Sequence, residues 1–151
     1  MTVEEIIKAQ KPISIAKKTL LNLTITNQII TENFNEILKP YELSNEQFNV
    51  LRILRGQDKH ILNMQSIQER MLAKTSNTTR LVDKLLLKKL VTRNVCPSNR
   101  RKIEIKLTSK GFDILQELDP KIESYDTAFS QKLNHEDLQQ LNELLDKLRK
   151  P

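Results

Sequence analysis

Between Leu62 and Lys110 the spacing of apolar residues changes its period, and that change limits what the chain can fold into. In MQSIQERM, Ile67 and Met71 stand four apart, and in NTTRLVDKLLLKKL the residues Leu81, Val82, Leu85 and Leu86 fall on one side of a helix. Further on, Ile103, Ile105 and Leu107 alternate with Lys102, Glu104 and Lys106, the period of two that a half-buried strand needs. Asn63 is a fitting N-cap for the first helix, and LAKT makes a turn. A hydroxyl at Thr75 or Ser76 can accept from the free N–H groups of the second helix, which is expected to reach about Leu90. LVTRNVCPS has strand composition as well, and Pro97-Ser98-Asn99 is turn chemistry, so a hairpin follows.

Charge follows the same boundaries. The stretch holds twelve Lys and Arg against three Asp and Glu, a net of +9 in a chain whose total is +6, so the other 102 residues are net negative. A patch of this kind attracts a polyanion, because neutralised phosphates release their condensed counterions. A solvated basic surface would show the same charge, and the pattern inside the stretch separates the two. On the second helix Ser76, Asn77, Thr79, Arg80 and Lys84 are left opposite the apolar side. Short polar groups permit close approach to a major groove, Asn and Arg can pair bidentately with base edges, and Lys reaches phosphate. Arg100, Arg101 and Lys102 are expected at the hairpin tip, within reach of a minor groove or of backbone. Helix, turn, helix and basic ribbon make a winged helix.

SNTTRLVDKLLLKKLVTR, NRR and IEIKLTSKG resemble the recognition helix, the wing and the next helix start of the MarR family of bacterial transcription regulators. ELSNEQFNVLRIL resembles the helix that precedes that motif. The resemblance implies a homodimer on double-stranded DNA, with residues 41–108 as the DNA-binding unit and residues 1–40 and 109–151 as dimerisation helices. It implies contacts to bases and nearby backbone from Ser76, Asn77, Thr78, Thr79 and Arg80. Phosphate contacts are expected from Lys84, Gln65, Ser66, Thr75 and Lys74, with Arg101 in the minor groove helped by Arg100 and Lys102. It also implies a small anionic or phenolic effector between the dimer helices and the winged helix, bordered by analogy by Asn22, Thr26 and Tyr41. Two positions depart from the family pattern. The wing Asp is Asn99, so the usual carboxylate partner of Arg101 is missing, and the Gly that ends the recognition helix is Lys89.

The remaining segments are consistent with such a frame. Residues 1–12 form a short amphipathic lead-in, and a long helix is expected from about Ser14 to Leu38, stopped by Lys39-Pro40. Its apolar residues, Ile15 and Leu20 among them, spread around more of the circumference than one core needs, which suits a second partner; ordinary burial within one subunit is the other reading. Ser44 to Gln47 reads as a capping box, with Phe48, Leu51, Ile53 and Leu54 buried behind it and Gly56 at the helix end. Arg52 and Arg55 suit intramolecular or solvated roles better than phosphate contact. From Thr108 or Ser109 a helix begins, and Pro120 either kinks it or restarts it with Asp119 as N-cap. Asn134 caps a last helix in which Leu138, Leu141, Leu145 and Leu148 form a narrow stripe, again suited to a partner. The expected fold is mainly α with a small two- to three-stranded β wing.

Other function classes find little support. No Gly-rich phosphate loop, G-x-S-x-G or paired carboxylates opposite a buried His occur, so an enzyme is not expected. Cys96, His60 and His135 are scattered and lack metal-ligand spacing, so neither metal nor cofactor is expected. The single cysteine and the absence of an 18-residue apolar run or leader pattern fit a cytoplasmic bacterial protein with no membrane partner. The expectation is a sequence-specific regulator, such as a repressor released by a ligand. The alternatives are an architectural DNA binder without sequence preference and a winged helix used only to bind protein.

Overall fold

The computed structural model describes residues 1–150. A short helix α1 (Val3–Ile6) opens the chain with a Thr2–Glu5 capping box, and Val3 is buried. Glu4 bonds Lys18 at 2.9 Å, and that bond holds the Glu4 carboxyl below the ordinary carboxylate range. The long helix α2 (Ile15–Leu38) is capped by Ser14. A 3-10 turn at Lys39–Tyr41 and a left-handed Glu42 (φ 53°) then redirect the chain into α3 (Asn45–Arg55). The Ser44–Gln47 capping box and the Gly56 end of α3 are as expected. Its buried side is formed by Phe48, Val50, Leu51 and Leu54, while Ile53 is only half-buried.

The strand β1 (Ile61–Asn63) comes next, then α4 (Met64–Arg70) capped by Asn63, and α5 (Thr78–Leu87). The hairpin β2 (Val91–Cys96) and β3 (Asn99–Leu107) is followed by α6 (Ser109–Ser130) and α7 (His135–Arg149). The sheet is antiparallel in the order β1-β3-β2, with Ile61 opposite Lys106 and Val91 opposite Leu107. At three residues β1 is too short to show an alternation of its own, so only pairing with β3 makes it a strand.

One core joins these elements. It gathers Leu51 and Leu54 of α3, Ile67 of α4, Val82 and Leu85 of α5, Ile105 of β3, and Leu115 and Leu118 of α6, all fully buried. Full burial of such side chains stabilises by about 1.5–3 kcal/mol each. The long helices outside it are thinly covered. α2 buries only Leu38 and α7 buries nothing, while Ile15 is 79% exposed, Leu20 61% and Leu148 57%. No helix of the described residues is long and apolar enough to cross a membrane.

Three boundaries differ from the expected ones. Helix α5 begins at Thr78, not near Thr75, because the Asn77 side chain accepts the Arg80 N–H at 3.1 Å and takes the cap. It ends at Leu87, not Leu90, because Lys89 turns left-handed (φ 59°) and drops Leu90 into the core. The Leu90 N–H then reaches the Leu85 carbonyl at 3.0 Å and the Lys89 N–H reaches the Leu86 carbonyl at 2.9 Å, a Schellman closure without glycine. Finally, α6 runs through Pro120 without restarting. Asp119 is no cap there; its carboxylate takes a bidentate pair from Arg55 at 2.8 and 2.9 Å, joining α6 to the end of α3.

Gly111 marks the closest approach between segments. A Cβ there would lie 2.4 Å from the Leu90 carbonyl oxygen and 2.7 Å from Leu107 Cδ1. Gly111→Ala is expected to lower unfolding free energy by about 1–3 kcal/mol through overpacking. Lys89→Gly, which removes a Cβ from a left-handed residue, should raise it by about 1 kcal/mol. Urea titration of the three proteins measures both, and a Lys89→Gly midpoint at or below that of the parent would contradict the helix end described here.

Candidate nucleic-acid interface

Helix α5 has two chemically distinct sides. Val82 and Leu85 are fully buried, with Leu81 and Leu86 packed behind them. Away from the core Thr75, Ser76, Asn77, Arg80 and Lys84 line one open depression of about 420 Å³, together with Glu46, Ala73 and the half-buried Leu81. The structure thus brings together five of the residues singled out in and before this helix, and Thr79 is exposed among them. Asn77 spends its side-chain oxygen on the helix cap, so its Nδ2 is the donor it can present. Thr78 is a correction. It is only 3% exposed and donates to Gln68 Oε1, so its side chain faces inward and offers nothing to a base.

The preceding helix and turn are tied up internally. Gln65 Nε2 donates to Glu69 Oε1 at 2.9 Å, and Lys74 Nζ donates to the Glu69 carbonyl at 2.6 Å. Ser66 is half-buried in the first turn of α4, where Asn63 caps its N–H at 2.8 Å. Behind the turn, Asn49 of α3 accepts the Leu72 N–H at 2.9 Å while itself only 8% exposed. Neither Asn49 nor Gln68 was singled out beforehand. An amide among the apolar residues of FNVL is the only sequence signal for Asn49, and Gln68 carries none.

The wing is anchored to α5 by Arg93, whose guanidinium meets Asp83 at 2.8 Å. Its three cations lie in the strand, not at the tip loop. Val95 faces Ile103 and the next residue, Cys96, faces Asn99, so Arg100, Arg101 and Lys102 bulge from β3 with nothing opposite them. Pro97 and Ser98 alone form the turn. All three cations are exposed. Asn99 Oδ1 accepts the Arg101 N–H at 3.1 Å, so the amide orders the bulge backbone although it does not grip the guanidinium. Cys96 is buried with Sγ 3.2 Å from Ser98 Oγ.

A crevice of about 530 Å³ lies between α2, α3 and the turn before α5. Its walls include Ile30, Phe34, Phe48, Asn49, Arg52 and Leu72. Of the residues singled out for an effector, Asn22 and Thr26 do not line it, and Tyr41 instead accepts from Lys121 Nζ at 2.9 Å. Arg52 is exposed there, whereas Arg55 is committed to Asp119. His60 lies tilted against Phe112, with ring centroids 5.9 Å apart, and places Nδ1 3.0 Å from the Arg55 carbonyl, a structural setting. Among the described residues no cluster of His, Cys, Asp and Glu could hold a metal.

Known proteins match this arrangement. Residues 43–103 match the MarR family domain. The Escherichia coli HTH-type transcriptional regulator PrsX is 29% identical over 97% of this chain and 90% of its own. Among solved structures, Bordetella bronchiseptica BpsR, described as regulated in its DNA binding by 6-hydroxynicotinic acid, superposes with a TM-score of 0.79 at 21% identity, covering 93% of this chain and 99% of that one. Sco3205 of Streptomyces coelicolor, a MarR family regulator solved in complex with DNA, gives 0.75 at 18% identity, with 93% and 91% covered. Across α3, α4, α5 and the hairpin as far as Ile103, the chain is thus similar to the MarR family.

Proposed function

We propose that the protein is a homodimeric, sequence-specific DNA-binding transcription regulator of the bacterial cytoplasm. The observation that carries this is the division of α5, with Val82 and Leu85 in the core and Arg80, Lys84 and the polar residues before them lining one outward depression. Arg80 and Asn77 supply base-edge donors, with Ser76 and Thr79 close enough for short polar contacts. Lys84, Thr75 and, after release from Glu69, Gln65 and Lys74 serve phosphates, with Ser66 beside them. Arg101 enters the minor groove, flanked by Arg100 and Lys102, where a narrow A·T-rich groove concentrates negative potential.

A two-fold dimer presents two such helices to successive major grooves, with half-sites about 10 base pairs apart. Residues 1–40 and 109–151 form the dimer arms around the DNA-binding unit at 41–108. Their support is the apolar surface left uncovered in one chain, Ile15 and Leu20 on α2 and Leu141 and Leu148 on α7, with Leu138 and Leu145 half-buried beside them. A small phenolic ligand suits the crevice between α2 and α3, since Phe34, Phe48 and Ile30 offer apolar walls, with Arg52 and Glu46 as the charged groups among them. Such a ligand acts as an effector only if it prefers one spacing of the two recognition helices.

Affinity for a duplex selected by the protein from a random pool tests this when measured at two salt concentrations. The expected result is selectivity over unrelated DNA with affinity falling steeply as salt rises; salt-indifferent binding, or equal binding to any duplex, would overturn it. Lys84→Ala should weaken binding to all sequences and reduce the salt slope by about one. Arg101→Ala should weaken it chiefly on sites with A·T-rich flanks, and unchanged affinity there at low salt would remove the wing from the interface. Leu141→Glu with Leu148→Glu should shift sedimentation from dimer towards monomer and weaken binding to the paired half-sites.

A further inference from the structure

We propose that Gln68 is a positioning residue for base recognition, setting the pose of α5 without touching DNA; this rests on the DNA-binding function proposed above. Residues 71–77, between the two helices, contain no helix of their own; one turn bond, from the Ser76 N–H to the Ala73 carbonyl at 3.1 Å, lies within them, and side chains from outside supply further bonds. Asn49 holds the first part through the Leu72 N–H. Gln68 holds the rest with both ends of one amide: Nε2 donates to the Lys74 carbonyl at 3.0 Å, and Oε1 accepts from the Thr78 hydroxyl. One side chain on α4 thereby joins the middle of the turn to the first residue of α5. Thr78 is 3% exposed, so its bond is shielded from competing water, and a hydroxyl left there without a partner would carry a desolvation penalty.

The two kinds of DNA contact differ in their tolerance of a displaced helix. A Lys or Arg on a phosphate follows a shift by changing rotamer, because the contact carries no directional code. A bidentate pair with a base edge requires the backbone beneath it to stay in register. Loss of the Gln68 amide should therefore reduce discrimination between sequences more than it reduces general affinity for DNA.

The test compares the parent with Gln68→Met, Thr78→Val and Thr78→Ser at a temperature where circular dichroism shows each folded. Each is titrated by fluorescence anisotropy against a duplex the parent selected from a random pool and against a scrambled duplex of equal length. Gln68→Met and Thr78→Val are expected to lose about tenfold on the selected duplex, to hold their affinity for the scrambled one, and to keep the parent's salt slope. Thr78→Ser restores the hydroxyl and with it the discrimination. Equal losses on both duplexes, or no loss on either, would overturn the proposal while leaving the DNA-binding function intact. A parent that binds both duplexes alike would instead overturn that function. Should Gln68→Met fail to fold, the Val and Ser pair at position 78 decides the matter alone.

Discussion

Helix α5 is held from behind, and the rest of the molecule depends on that. Ten residues are too few for a helix to persist in water on propensity alone. Burial of Val82 and Leu85 against α3 and the sheet supplies the missing stability and fixes the orientation together. Because the core takes one side of α5, the other is free to be polar. Leu90 extends the same anchoring past the helix end, and the Lys89 backbone adopts a left-handed conformation to place it.

Around that anchor, polar bonds convert a packed helix into a directed one. Asp83 takes Arg93 and thereby ties the wing to α5, while Asn49 and Gln68 hold the turn that leads into it. Lys88 donates to the Glu42 carbonyl, linking the far end of α5 to the connector from α2. The Arg55–Asp119 pair joins the end of α3 to α6.

Much of this was legible beforehand. The capping residues Ser44, Asn63 and Asn134 marked their helix starts because each is a side chain acting within three residues of itself. The buried side of α5 showed in its periodicity. Thr78 did not, since a hydroxyl beside Ser76, Asn77 and Thr79 looks the same in sequence whether it faces DNA or Gln68. The bulge at Arg100–Lys102 was hidden for a similar reason: composition marks a strand, but only the register against β2 shows which residues have no partner.

The sequence by itself determined the mainly helical fold, the order of helix, turn, helix and ribbon, and the confinement of positive charge to that stretch, because periodicity, capping and charge are local properties. Tertiary structure alone decided where α5 ends, that Lys89 can stand where glycine is usual, that α6 passes through Pro120 while Asp119 serves Arg55, and that residues 61–63 form a strand. Each of those outcomes is set by a partner at least ten residues away or by the need to bury one side chain, and neither is written in the neighbouring residues.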